Sequence, residues 1–255
     1  SANMLSTEGP FEAGALTLDT GNAELAGYVG TSRQDLRPAW CNVDSDPAEE
    51  LVIGLGPGSR GWMEVKDDVS TGFAHLRWIK GGDRPTYHAA NGETFPACGD
   101  VDGDGRDEIV VGYGTGGGGW LFVLEDALRN FAPSTQGDAG GPWIFRNLPT
   151  LNAFNGSAYP TVGNFDADPQ AEVAVAGAAG SGGVVHVFDD AHNNLRPLVV
   201  NGSATLQLGA PSYAATDGTV WPASCDLNAD GRNELALASG AGVQIFDMTT
   251  RRPMG

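Results

Sequence analysis

Basic residues are scarce in this chain: 14 Lys and Arg stand against 32 Asp and Glu, a formal net charge of −18 over 255 residues. A protein that grips nucleic acid needs a basic face to displace counterions from phosphate, so that class of partner is excluded. Anionic membrane surfaces are disfavoured for the same reason. No apolar run approaches the roughly 18 residues of a spanning helix, so no membrane insertion is expected. Cysteine is limited to Cys41, Cys98 and Cys225, without the C-x-x-C spacing of a zinc or redox site. The three read as small buried residues near the centre of the fold rather than as a disulfide framework, and whether Cys41 and Cys225 pair is left open. Helical periodicity is nearly absent. His75, His88, His186 and His192 fall at different repeat positions, which argues against a shared zinc site. There is no G-x-S-x-G elbow, and the G-x-G-x-x-G run from Gly112 to Gly117 enters a strand rather than a helix, so no dipole awaits a phosphate. No enzymatic constellation emerges. The opening Ser1-Ala-Asn-Met lacks a charged and then apolar leader and reads as a mature or artificial terminus.

What the chain has is repetition. Gly (38) and Pro (15) make up about a fifth of it, which suits many short strands joined by tight turns. Four times an acidic loop runs directly into an apolar strand: Asn42-Val-Asp-Ser-Asp46, Asp100-Val-Asp-Gly-Asp104, Asn164-Phe-Asp-Ala-Asp168 and Asp226-Leu-Asn-Ala-Asp230. Their first residues are 58, 64 and 62 apart, a period that marks a repeat architecture. Each unit opens near Arg37-Pro38, Phe95-Pro96, Tyr159-Pro160 or Trp221-Pro222. A strand leads to the loop, a second follows it, a Gly-rich turn intervenes, and a third strand ends in an acidic step such as Glu125-Asp126 or Asp189-Asp190. Fourth strands are expected at Leu76–Ile79, Trp143–Phe145 and Thr205–Leu208.

Four short antiparallel strands in about 60 residues describe a propeller blade. The expected fold is an all-β propeller of four-stranded antiparallel blades, one domain over residues 1–255 with four repeats. The last unit shows no obvious fourth strand, and Gly14-Ala-Leu-Thr-Leu-Asp19 is expected to supply it, closing the ring and removing two sheet edges. A larger propeller of six to eight blades, or one completed by dimerisation, is the competing arrangement.

Oxygen ligands at alternate positions of a tight loop are what a hard cation such as Ca2+ needs. Asp100, Asp102 and Asp104 hold positions 1, 3 and 5, with Gly105 at 6, the backbone carbonyl of Arg106 at 7 and Glu108 at 9. The last loop repeats this with Asp226, Asn228, Asp230, Arg232 and Glu234. The first (Asn42, Asp44, Asp46, Glu50) and third (Asn164, Asp166, Asp168, Glu172) start with neutral Asn and carry Pro47 or Pro169 at position 6. Proline fixes φ, so these two are expected to curl less well and to bind metal more weakly, with the second loop tightest. The alternative is that the carboxylates cap backbone N–H groups in Asx-turns without metal.

The pattern D-x-[DN]-x-[DN]-G-x-x-[DE] before an I-V-V-G strand, carried by Asp100–Gly112 and Asp226–Glu234, resembles the FG-GAP/VCBS repeats of integrin alpha-subunit propellers and of many bacterial secreted proteins. The Asn- and Pro-containing copies depart from it. The resemblance spans about three quarters of the chain. It implies structural calcium, an extracellular, cell-surface or periplasmic location, and adhesion or recognition of a glycan or protein ligand without catalysis. The alternative is a scaffold or accessory domain of a larger secreted protein. Trp62 and Trp120 share a repeat position, read either as packing between blades or as aromatic platforms for sugar rings. Oligomeric state is not legible. The sequons at Asn155 and Asn201 have meaning only in a eukaryotic secretory host.

Overall fold

The computed structural model describes residues 17–28, 35–135, 143–144, 156–166 and 168–254. They form four antiparallel sheets of four strands, each a meander in chain order. The first sheet comprises β1 (Leu36–Cys41), β2 (Glu50–Leu55), β3 (Trp62–Lys66) and β4 (His75–Lys80). The second is β5 (Thr94–Gly99), β6 (Glu108–Tyr113), β7 (Leu121–Leu124) and β8 (Trp143–Ile144). The third is β9 (Ala158–Gly163), β10 (Glu172–Gly177), β11 (Val184–Phe188) and β12 (Thr205–Gln207). The fourth is β13 (Trp221–Cys225), β14 (Glu234–Ser239), β15 (Gly242–Asp247) and β16 (Arg252–Pro253). Two one-and-a-half-turn helices, α1 (Pro85–Ala90) and α2 (Pro211–Thr216), link the first sheet to the second and the third to the fourth, each started by a proline in its first turn.

The first strand of every sheet is an edge, which is why Pro38, Pro96, Pro160 and Pro222 are tolerated there without an N–H. These edge strands pack in chain order, β1 on β5, β5 on β9 and β9 on β13. The residues before these prolines meet one another from sheet to sheet. Arg37 lies 4.3 Å over the Phe95 ring, Phe95 meets Tyr159 edge-on at 4.6 Å, and Tyr159 stacks on Trp221 at 4.1 Å.

Sheets meet face to face. Val52, Met63 and Val65 of the first face Ile109, Val111 and Phe122 of the second. Val110, Leu121 and Val123 face Val173 and Val175 of the third. Ala174, Val185 and Val187 face Leu235, Leu237 and Phe246 of the fourth. A strand covered on both sides reads as an unbroken apolar run, hence E-I-V-V-G-Y in β6, all buried. The approach is close: a Cβ on Gly112 would lie 2.1 Å from the carbonyl oxygen of Ala158, so only glycine fits.

Three expectations need correction. The last sheet takes its fourth strand from its own chain. Asp247 accepts the N–H groups of Thr249 and Thr250, turning the chain back after β15 so that Arg252–Pro253 pairs with it. Of the proposed closing strand, residues 14–16 lie outside the described residues, while Leu18 and Asp19 sit against the first sheet. Leu18 is buried with Leu25, Leu51, Ile53 and Leu55, and Asp19 accepts from Trp78 Nε1 at 3.1 Å and donates its N–H to Glu64 at 3.0 Å. Among the described residues no comparable packing joins β13 or β14 to β1 or β2.

Thirdly, Cys41 and Cys98 form a disulfide, and Cys225 is free and exposed. Cys41 stands one residue before its loop and Cys98 two residues before its own. Strand alternation therefore turns one towards the following sheet and the other towards the preceding one. The same step recurs as Gly99 beneath Val162 and Gly163 beneath Ser224.

Candidate metal centres

The four acidic loops line up at one end of the sheets and are tied to one another. The position-8 residues Asp107, Ala171 and Asn233 donate their N–H groups to the position-1 carbonyls of Asn42, Asp100 and Asn164 in the preceding loop, at 2.7, 2.8 and 2.6 Å.

Within each loop the same ladder appears. The side chain at position 3 accepts the N–H of position 5: Asp44 from Asp46, Asp102 from Asp104, Asp166 from Asp168 and Asn228 from Asp230, at 2.8–3.1 Å. The carboxylate at position 5 accepts the N–H of position 7 in every copy, Ala48, Arg106, Gln170 and Arg232. At position 9 the first residue of the second strand turns back into the loop. One oxygen of Glu50, Glu108, Glu172 and Glu234 accepts the N–H of Val43, Val101, Phe165 and Leu227, respectively.

Proline at position 6 does not spoil this ladder, contrary to expectation. The two loop types differ elsewhere. Gly105 (φ +90°) and Gly231 (φ +88°) donate their N–H groups to the position-1 carboxylates of Asp100 and Asp226, at 2.9 and 3.0 Å. Proline has no N–H, and in those copies position 1 is Asn. Asn164 instead donates its amide to the Asp168 carbonyl at 2.6 Å.

The second oxygen of the position-9 glutamate separates the loops further. Oε1 of Glu50, Glu108 and Glu172 is buried without a hydrogen-bond partner, as is Oδ1 of Asn42 and Asn164. In the fourth loop Asn228 Nδ2 donates to that oxygen of Glu234 at 3.0 Å. An orphaned buried acceptor costs about 1–3 kcal/mol unless something fills its place. Burial, reinforced by the neighbouring aspartates, pushes the Glu50 carboxyl up to about 7, Glu172 to about 8 and Glu108 to about 9. Groups of three carboxylate oxygens within 4.8 Å of one another occur at Asp44/Asp46/Glu50, Asp100/Asp102/Glu108 and Asp166/Asp168/Glu172. Two more, Asp104/Glu108/Asp126 and Asp168/Asp189/Asp190, draw on the acidic step that ends the third strand. The donor set is all oxygen, as a hard divalent cation requires.

Arginine enters the second loop. Arg129, from the turn after β7, reaches Asp102 at 3.1 Å, Asp104 at 2.8 Å and Glu125 at 2.9 Å. Arg106 binds Asp104 at 2.6 Å and Asp126 at 2.9 Å, a side-chain role beyond its expected carbonyl. Arg232 instead donates to Thr249 Oγ1 at 3.0 Å. Sequence reasoning missed Arg129, Asp126, Asp189 and Asp190 as members of the sites. The recurrence of the acidic step pointed to the aspartates, whereas nothing local marks Arg129.

The repeated tryptophans lie elsewhere. Trp62 is half-buried in the cluster of the first sheet, donates Nε1 to Glu24 at 2.9 Å and carries Lys80 over its ring. Trp120 is half-buried between the first two sheets with Arg84 5.3 Å from its ring centre. No family model matches this chain, and no similar curated protein was found.

Proposed function

We propose that the chain is a calcium-binding, non-enzymatic recognition module of the β-propeller kind, working outside the cytoplasm. The observation that carries the reading is the recurrent buried glutamate, Glu50, Glu108 and Glu172, each with one oxygen on a loop N–H and the other facing aspartates without a partner. Four sheets stacked through their first strands, around a line of contacts from Arg37 to Trp221, support a radial arrangement. The Cys41–Cys98 disulfide supports an oxidising compartment. The cation in this reading is structural: six or so protein oxygens leave it no open position for substrate. Calorimetric titration of chelator-stripped protein with calcium tests the metal, and a glycan array with and without calcium tests recognition. Saturable calcium binding and array signals lost on Trp62→Ala or Trp120→Ala support the reading; heat-silent titration rejects it.

A second reading, scaffold or accessory domain, is favoured by one feature. Beyond β13 and β15 the outer face of the last sheet is uncovered among the described residues, with Cys225 exposed and Val243 66% exposed. Array silence with intact calcium binding supports that role.

A further inference from the structure

The orphaned acceptors and the arginines divide the four loops unequally. In the second loop the charge gathered by Asp102, Asp104, Glu125 and Asp126 is met by guanidinium groups of the chain itself, Arg129 and Arg106. The third loop has the same skeleton without them. Gln170 stands where Arg106 does, and Asn193 stands where Arg129 does, its amide 3.2 Å from Asp189 and 3.5 Å from Asp190. Among the described residues no Lys, Arg or His forms an ion pair with Asp166, Asp168, Glu172, Asp189 or Asp190.

We propose that the third loop is the principal divalent-cation site, completed by Asp189 and Asp190 from the turn after β11, and that Arg129 takes the cation's place in the second. This rests on the metal reading above and reverses the order that the loop sequences alone imply. Asp168 is the pivot. It belongs to two groups, with Asp166 and Glu172 and with Asp189 and Asp190, each with one carboxylate oxygen per residue within 4.8 Å, a spacing that ligands about 2.3–2.6 Å from a shared Ca2+ span readily. Two buried oxygens there lack any other partner, Glu172 Oε1 and Asn164 Oδ1, and Glu172 is 0% exposed. A buried acceptor grouped with Asp166 and Asp168, the latter grouped in turn with Asp189 and Asp190, and with no ion-paired cation among the described residues, is a strongly unfavourable arrangement that a divalent ion reverses. In the second loop the Arg129 guanidinium occupies the counterpart of the Asp168/Asp189/Asp190 group, reaching Asp104, Glu125 and Asp126, while Glu108 Oε1 stays without a partner; a metal at that group must first displace the guanidinium.

The test is calorimetric titration of the chelator-stripped full chain with calcium alone, on wild type and three variants whose folding is checked by circular dichroism. Asp168→Asn with Asp190→Asn abolishes the tightest binding event, Asp102→Asn leaves it in place, and Arg129→Gln adds or tightens a second event. The Arg129→Gln arm stands even where the double variant fails to fold. Loss of the tightest event in Asp102→Asn and its survival in the double variant overturns the assignment while leaving calcium binding intact. Absence of any binding by wild type defeats the metal reading itself.

Discussion

Glu172 holds the backbone N–H of Phe165 with one carboxylate oxygen and keeps the other buried without a partner. The first role closes the loop, and the second is available to an ion. The two roles separate by mutation. Glu172→Gln keeps an acceptor for Phe165, whereas Glu172→Ala strands a buried N–H at a cost of about 1–3 kcal/mol. Urea unfolding in chelator is expected to place the alanine variant well below the glutamine variant. Equal midpoints argue against the closing role.

Titration of these glutamates gives the metal-free protein an unusual pH dependence. Burial raises the folded-state carboxyls of Glu50, Glu172 and Glu108 to about 7, 8 and 9, against roughly 4.3 in an unfolded chain. A raised pKa means that the folded state binds more protons over that window. Its contribution is complete below the unfolded value and is lost as pH climbs through 7 to 9. In EGTA the melting temperature should therefore fall between pH 5.5 and pH 8.5. A rise over that interval contradicts the burial of these groups.

The disulfide makes its own prediction. Cys41 and Cys98 are 57 residues apart, and closing a loop of that length restricts the unfolded chain by about 4 kcal/mol in the entropic model, with 2–5 kcal/mol typical on removal. Cys41→Ser should lower the guanidinium midpoint accordingly, and reductant should do the same to wild type and nothing further to the variant.

The N-terminal segment is expected to act as a cover for the first sheet. Leu25 is fully buried with Leu51, Ile53 and Leu55, so Leu25→Ala should cost about 2–5 kcal/mol. Val243→Ala, on the open face of the last sheet, should change stability by no more than about 0.5 kcal/mol. Comparable losses at both positions refute this division of faces.

The loops, three of the four sets of strands and the acidic step after the third strand were legible because each is a local pattern repeated at a near-constant interval. The fourth strand of the last sheet was not, since two residues, Arg252–Pro253, carry no periodicity. The disulfide was hidden because Cys41 and Cys98 are one position out of step, and only face-to-face stacking makes that offset the right one. Proline at position 6 still allows the ladder because its missing N–H goes with Asn at position 1, a pairing visible only once Gly105 N–H is seen on Asp100. Arg129 belongs to the second loop through space, 21 residues after Glu108 and from a different turn.

The central claim, that a divalent cation is part of the folded state, is tested most directly by the melting temperature of one preparation in EGTA and then in excess calcium. A ligand present at 100 times its dissociation constant stabilises the native state by about 2.7 kcal/mol. Calcium should therefore raise the melting temperature by a few degrees, with the gain growing as the logarithm of its concentration and smaller in Asp168→Asn with Asp190→Asn. Identical melting curves with and without calcium, in protein shown by elemental analysis to have been metal-free, would contradict the account.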